Sequence, residues 1–345
     1  VNSYERALLT LNGEIPDRVP TFELMIDPVV RRALLGDSED YADFCEQVGL
    51  DLVLTDTPSK LYAEKVVDAA SRTIVNEWGI VRRYNEQIVS VPLEGPIKEA
   101  ADLKTYRAPD PYDERRYSQL KSLLKRFKGK KLVGMHLHDS FNYPAYLRGM
   151  EQLFMDLILD PDLVRGLVRI SVEHNIAIAE RAIELGADFI ILGDDYGSST
   201  STLVSPQHFR EFFIPGLQEV VSAVKAKGAF CLKHCCGNIN GILDDMVATG
   251  LDGLHPLDPS AGMDMVAVKQ RYPNLTVMGG INCAEPLTDY SAAELRAMAR
   301  DVIERTAPGG HFILASSNSI HSQVKLENFL AMQETVREFG KYDNG

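Results

Sequence analysis

The chain has 345 residues, 45% hydrophobic and 25% charged, enough for one large domain or two small ones with a sizeable core. Its 36 basic and 49 acidic residues leave a formal charge of -13, which argues against a general affinity for nucleic acid or anionic membrane. No apolar run approaches the roughly 18–20 residues that span a bilayer, and the amphipathic stretch 1–11 lacks a signal-peptide core and cleavage site, so a cytoplasmic protein is expected.

Apolar runs of strand length, each closed by turn residues, fall in chain order at 19–24, 51–55, 131–137, 188–192, 229–233, 253–255, 276–279 and 311–315. Stretches of helical period follow most of them, at 161–185, 206–227, 239–249, 292–306 and 324–339. Regular alternation of strand and helix implies a parallel sheet covered by helices, and eight such units imply closure into a single (β/α)8 TIM barrel. An open doubly wound sheet would carry a G-x-G-x-x-G turn after its first strand, and none occurs there. Residues 73–96 break the alternation with two extended runs around Asn85-Glu86, which predicts a β-hairpin inserted after the second strand. No linker or repeat divides the chain, so 1–345 reads as one domain.

Barrel enzymes draw their chemistry from the C-terminal ends of the strands, and those positions here are unusually polar. His234 and Cys236 form a His-x-Cys pair after a β-like run, so both point to one side. An imidazole beside a thiolate suits zinc, although a buried thiol near a satisfied histidine has the same spelling. The 5 cysteines, Cys45, Cys231, Cys235, Cys236 and Cys283, make a poor disulfide framework and leave thiols free for such a role. Asp258 follows by one helix and one strand, which puts it at the neighbouring strand mouth. It either completes the ligand set or caps the helix after Pro259. His255 is a competing ligand, a substrate contact, or a ring turned into the barrel. In GDDYG (193–197), Asp194 and Asp195 bind a cation, act as general base, orient His234, or simply form a turn. His136 and His138 share one strand face and are expected at the substrate, as are Asp56 and Glu23. Cys235 points away from Cys236.

These motifs resemble the uroporphyrinogen decarboxylase-like superfamily. It includes zinc- and corrinoid-dependent methyltransferases and is related to cobalamin-independent methionine synthase. The resemblance runs through 5–20 (ERALLTLNGEIPDRVP), GDDYG, 205–215 (SPQHFREFFIP), 233–239 (KHCCGNI), 250–258 (GLDGLHPLD) and 314–328 (LASSNSIHSQVKLEN). It implies a barrel, and zinc at His234 and Cys236 with a carboxylate at the place of Asp258. The family's late G-C-G-[IL] turn reads Ser317-Asn318-Ser319-Ile320 here, so Asn318 stands where a cysteine ligand is expected. Three outcomes are open: zinc held by His234, Cys236 and Asp258; a contribution from His321; or no metal.

The resemblance also implies a choice of activities. True decarboxylases line their N-terminal region with arginines for a polycarboxylate. The corresponding stretch 21–34 offers Glu23 and Asp27, with Arg31 and Arg32 further on, while Asp56 matches a decarboxylase aspartate. The preferred expectation is a zinc-dependent methyltransferase. It would move a methyl group between a small methylated or methoxylated molecule and a corrinoid carried by a partner protein. Uroporphyrinogen decarboxylation and a non-catalytic corrinoid- or tetrapyrrole-binding protein are the alternatives. A homodimer is implied by analogy.

Overall fold

The computed structural model describes residues 1–36, 38–56, 65–84 and 90–342. Its strands in chain order are β1 (Leu52–Asp56), β2 (Lys65–Asp68), β3 (Thr73–Val75), β4 (Val81–Arg83), β5 (Val91–Glu94), β6 (Leu132–Leu137), β7 (Phe189–Leu192), β8 (Phe230–His234), β9 (Gly253–His255), β10 (Thr276–Ile281) and β11 (Phe312–Ser316). Seven of them form one parallel sheet in the order β1-β6-β7-β8-β9-β10-β11, with helices in the crossovers, as the alternation requires.

The predicted first strand, 19–24, differs from expectation. It forms one isolated bridge, Thr21 with Leu314, rather than a ladder. Its backbone nonetheless bonds to both edges of the sheet. Phe22 N–H donates to Leu314 O at 3.1 Å and Leu314 N–H to Pro20 O at 3.0 Å, while Asp51 N–H donates to Thr21 O at 3.0 Å. Asp51 fixes this segment. Its buried carboxylate accepts from Thr21 N–H at 2.8 Å, from Arg6 at 2.7 Å and from Arg18 at 3.0 Å.

Strand period sorts the core into two layers. Leu52, Leu54, Leu132, Phe189, Ile191, Leu232, Ile313 and Ala315 pack together with Phe22 and Leu24. The alternate residues Val53, Val133, Ile190, Cys231, Leu254 and Leu314 pack under the helices. By the same period His234 takes the side of Leu232, and Lys233 takes the side of Cys231. The site chemistry thus begins where the inner apolar layer ends.

The helix Pro161–Leu185 has the predicted bounds. Asp160 caps it by accepting from Leu163 N–H, and left-handed Gly186 ends it. Ala292–Thr306 also matches, whereas 206–227 passes through a π turn at Phe209–Phe213. The expected hairpin over 73–96 instead supplies three strands, β3, β4 and β5, of a four-stranded antiparallel sheet whose first strand, β2, precedes it. Its first run folds back on itself: the Asn76 side chain accepts from Trp78 N–H and Ile80 N–H, and Gly79 turns at φ +74°. β2 carried no alternation to announce it, because all four of its residues are exposed. The expected turn at Asn85-Glu86 lies outside the described residues. No helix among the described residues is long and apolar enough to cross a membrane.

Candidate metal centre and its surroundings

β7 and β8 are neighbours, and the loops that leave them meet through glycines. A Cβ at Gly197 would lie 2.7 Å from Asn238 N and 2.8 Å from Cys236 O; one at Gly237 would lie 2.3 Å from Gly197 C. Only the absence of both side chains lets GDDYG lie flat on HCCGN. The contact brings Asp195 to the His-x-Cys pair, where Cys236 N–H donates to Asp195 Oδ1 at 2.7 Å.

Asp195, His234 and Cys236 offer ligand atoms that all lie within 4.8 Å of one another. His234 Nε2 is 3.3 Å from Cys236 Sγ and 3.6 Å from Asp195 Oδ1. Zinc bonds of about 2.0–2.3 Å in a tetrahedron place ligand atoms roughly 3.3–3.8 Å apart. The donor set, one nitrogen, one sulfur and one carboxylate oxygen, suits zinc in its chemistry, and both His234 separations fall in that range. Asp195 keeps 46% of its side chain exposed and His234 only 5%, so the cluster is rooted in the protein and open on one side. Burial pushes the Cys236 thiol well up, with Asp195 adding to it, and pushes the His234 imidazole well down. A divalent cation would reverse the first effect.

Asn318 reaches the same place. Its Nδ2 donates to Cys236 Sγ at 3.2 Å. Asp258 does not join the three-residue cluster. Its carboxylate caps the short helix Pro259–Ala261, accepting from Ser260 N–H at 2.9 Å and Ser260 Oγ at 2.8 Å. His321 holds a loop by its contact with Cys283 O at 3.0 Å. Cys235 is buried on its own side, where its sulfur accepts from Tyr196 N–H at 3.1 Å.

His255 lies behind His234, with 2.7 Å between the two Nδ1 atoms, and its Nε2 is 2.9 Å from Ser316 O. Glu23 grips the same serine. It accepts from Ser316 Oγ at 2.5 Å and from Ser316 N–H at 3.1 Å, and burial pushes its carboxyl up to about 8.

A second cluster centres on Asp194. Its Oδ1 is 2.7 Å from His138 Nδ1, and its Oδ2 accepts from Phe141 N–H at 2.7 Å and Asn142 N–H at 3.0 Å. Burial alone would raise this carboxyl; the His138 bond, the Lys233 charge and the amide donors outweigh it and hold the group below the usual range. Both oxygens are committed, so Asp194 orients His138. The edge of the His138 ring meets Tyr143, which stacks on Trp78 at 3.8 Å, and His136 lies 5.8 Å from it. Asp56 ends β1 opposite His136 in the ladder; its side chain lies outside the described residues.

Sequence reasoning missed Lys233, which is fully buried. Its ammonium lies 3.0 Å from Asp139 Oδ2, donates to Asp194 O at 2.6 Å and sits 4.4 Å from the Tyr196 ring centroid. Tyr196 Oη in turn donates to Asp139 Oδ1. A lysine inside an otherwise apolar strand was the available signal, since buried charges need partners.

The fold thus presents, past the ends of a parallel sheet, an acid–histidine–thiol cluster of the kind that can hold a metal ion. The chain belongs to the uroporphyrinogen decarboxylase (URO-D) family, whose sequence pattern matches residues 3–339. It is 30% identical over 182 residues to the methylcobamide:CoM methyltransferase MtaA of Methanosarcina barkeri, a match covering 52% of this chain and 50% of that protein. The chain thus spans about half the length of the methyltransferase relatives it matches. A uroporphyrinogen decarboxylase of Thioalkalivibrio sulfidiphilus matches at 24% identity over 336 residues, covering 90% of this chain and 89% of that one. Among solved structures, a methyltransferase from Methanosarcina mazei superposes with a TM-score of 0.76 at 21% identity, covering 98% of this chain and 99% of that one; that likeness concerns the fold.

Proposed function

We propose that this protein is a zinc-dependent methyltransferase that moves a methyl group between a small methylated molecule and a corrinoid carried by a separate protein. The observation that carries the reading is the Asp195–His234–Cys236 cluster, whose spacing fits a tetrahedral ion with an open side. The methylcobamide:CoM methyltransferase activity in MtaA's name supports the corrinoid part. In this reading residues 19–24 serve as the eighth stave of a (β/α)8 barrel, 1–345 form one domain, and the cluster sits at its mouth.

Zinc bound there would supply Lewis acidity, polarising the atom that bears the methyl group or favouring a thiol as thiolate. The chain's own residues do the rest. His138, held by Asp194 through Nδ1, presents Nε2 as a proton donor or acceptor for the leaving or entering heteroatom. Tyr143 and Trp78 wall that side and exclude water. With a single cysteine in the cluster and Asn318 in the place of a second, a metal held there would be comparatively electron-poor. That favours polarising an ether or amine, so demethylation of a methoxylated substrate is the preferred direction.

Metal analysis of the purified protein tests the reading. About one zinc per chain, lost in Cys236→Ser, together with methyl transfer between methylcobalamin and a small acceptor, is the expected result. No zinc in either protein removes the Lewis-acid mechanism. The full-length match to a decarboxylase favours a second reading, and turnover of uroporphyrinogen without metal would establish it instead.

A further inference from the structure

His234 is held from behind by His255 and, through it, by the backbone of Ser316. Ser316 O, His255 and His234 form a line of three groups, joined by contacts of 2.9 Å at His255 Nε2 and 2.7 Å between the two Nδ1 atoms. Its polarity can be read from one end. A backbone carbonyl only accepts, so His255 Nε2 carries a hydrogen. His255 has no exposed surface, and both its ring nitrogens have uncharged partners, so an imidazolium there would be costly. The ring is therefore neutral with a bare Nδ1. A bare Nδ1 at 2.7 Å needs a hydrogen from the facing nitrogen, which puts the hydrogen of His234 on Nδ1. Its Nε2 is then left with a lone pair, and this is the atom 3.3 Å from Cys236 Sγ.

We infer that His255 is a positioning residue, which with Ser316 O fixes His234 in the Nδ1–H tautomer and aims the Nε2 lone pair at the metal position. Its role is thus neither ligand nor substrate contact. The start of the line is itself anchored. Glu23 accepts from both Ser316 N–H and Ser316 Oγ, and Phe22 meets the His255 ring edge-on at 5.7 Å between centroids. The segment 19–24, β11, β9 and β8 thus converge on one ring orientation. A histidine ligand held through its other nitrogen in this way binds metal more tightly, and losing such a partner typically costs about 10–100-fold in metal affinity.

The inference rests on the reading of His234 as a metal ligand, yet its first test needs no metal. Long-range 15N–1H spectra of the intact metal-free protein, with histidines assigned by single substitution, should show His234 protonated on Nδ1 and His255 on Nε2. The reverse pattern overturns the inference, and this measurement does not depend on any variant folding. The second test is zinc affinity by competition with a chromogenic chelator. His255→Phe keeps the bulk and removes both polar atoms, so affinity should fall about 10–100-fold. His255→Gln restores one acceptor and one donor and should recover most of the loss. Wild-type affinity in a folded His255→Phe overturns the inference. If the wild type itself binds no zinc while its tautomers are as expected, the metal reading fails and the tautomer lock stands.

Discussion

The side-chain amide of Asn318 donates to the sulfur of Cys236 at 3.2 Å. The residue that replaces the expected second cysteine has therefore kept its place beside the first. A hydrogen bond to the sulfur lowers its donor strength, whereas a thiolate at 318 would add a soft ligand at ordinary ligand spacing. Asn318→Cys should tighten zinc binding by on the order of 10-fold. It should also add a second thiolate to the charge-transfer band of the cobalt(II)-substituted protein. Unchanged affinity and an unchanged band would show that position 318 does not face the metal.

Two carboxylates compete on paper for the third ligand, and their surroundings separate them. Asp195 touches His234 and Cys236, while Asp258 is occupied by Ser260. Asp195→Asn should weaken zinc binding by about 10-fold or more. Asp258→Asn preserves a good cap and should leave both zinc and stability nearly unchanged. Equal losses in a chelator competition would return Asp258 to the ligand set.

Lys233 and Asp139 form an ion pair with no exposure on either side. Removing one partner of such a pair strands the other, at a cost of about 3–5 kcal/mol. Lys233→Met should lose that much in urea denaturation, and Lys233→Met with Asp139→Leu should lose less than the single change. The exposed pair of Lys98 and Glu94 supplies the contrast, and Lys98→Met should stay within about 0.5 kcal/mol. A Lys233→Met loss no larger than that would mean water reaches Asp139.

The parallel sheet was legible because its strands are buried on both faces and read as continuous apolar runs bounded by turns. The 19–24 run has the same spelling but makes only an isolated bridge, since its position depends on the adjacent Arg18 and on Asp51 and Arg6 from elsewhere in the chain. The His-x-Cys pair was legible from local period alone. Which of Asp194 and Asp195 turns toward that pair was not, because the contact depends on Gly197 and Gly237 closing two loops from different strands. Asp258 had the right spacing along the chain, but spacing fixes a strand mouth and not which way a side chain turns. Lys233 was hidden in plain view, for its partner Asp139 arrives from the loop after β6.

His174 supplies a pH-dependence that belongs to the fold rather than to the site. Its ring is 6% exposed and meets Trp78 edge-on at 4.5 Å. Burial pushes its imidazole down to about 3, helped by the Arg116 charge and opposed by a bond to Pro109. The unfolded chain holds this group near 6.5, so between about 6.5 and 3 the unfolded state binds a proton that the folded state does not. Stability from this residue is therefore constant above about pH 6.5 and falls as the pH drops through the window, at up to about 1.4 kcal/mol per pH unit. His174→Phe keeps the packing against Trp78 and cannot titrate. Between pH 6.5 and 5 the wild type should lose about 2 kcal/mol more than the variant in urea denaturation. Parallel losses in the two proteins would mean that His174 is protonated in the folded state as easily as in the unfolded one, and so that the aromatic pocket around it admits water.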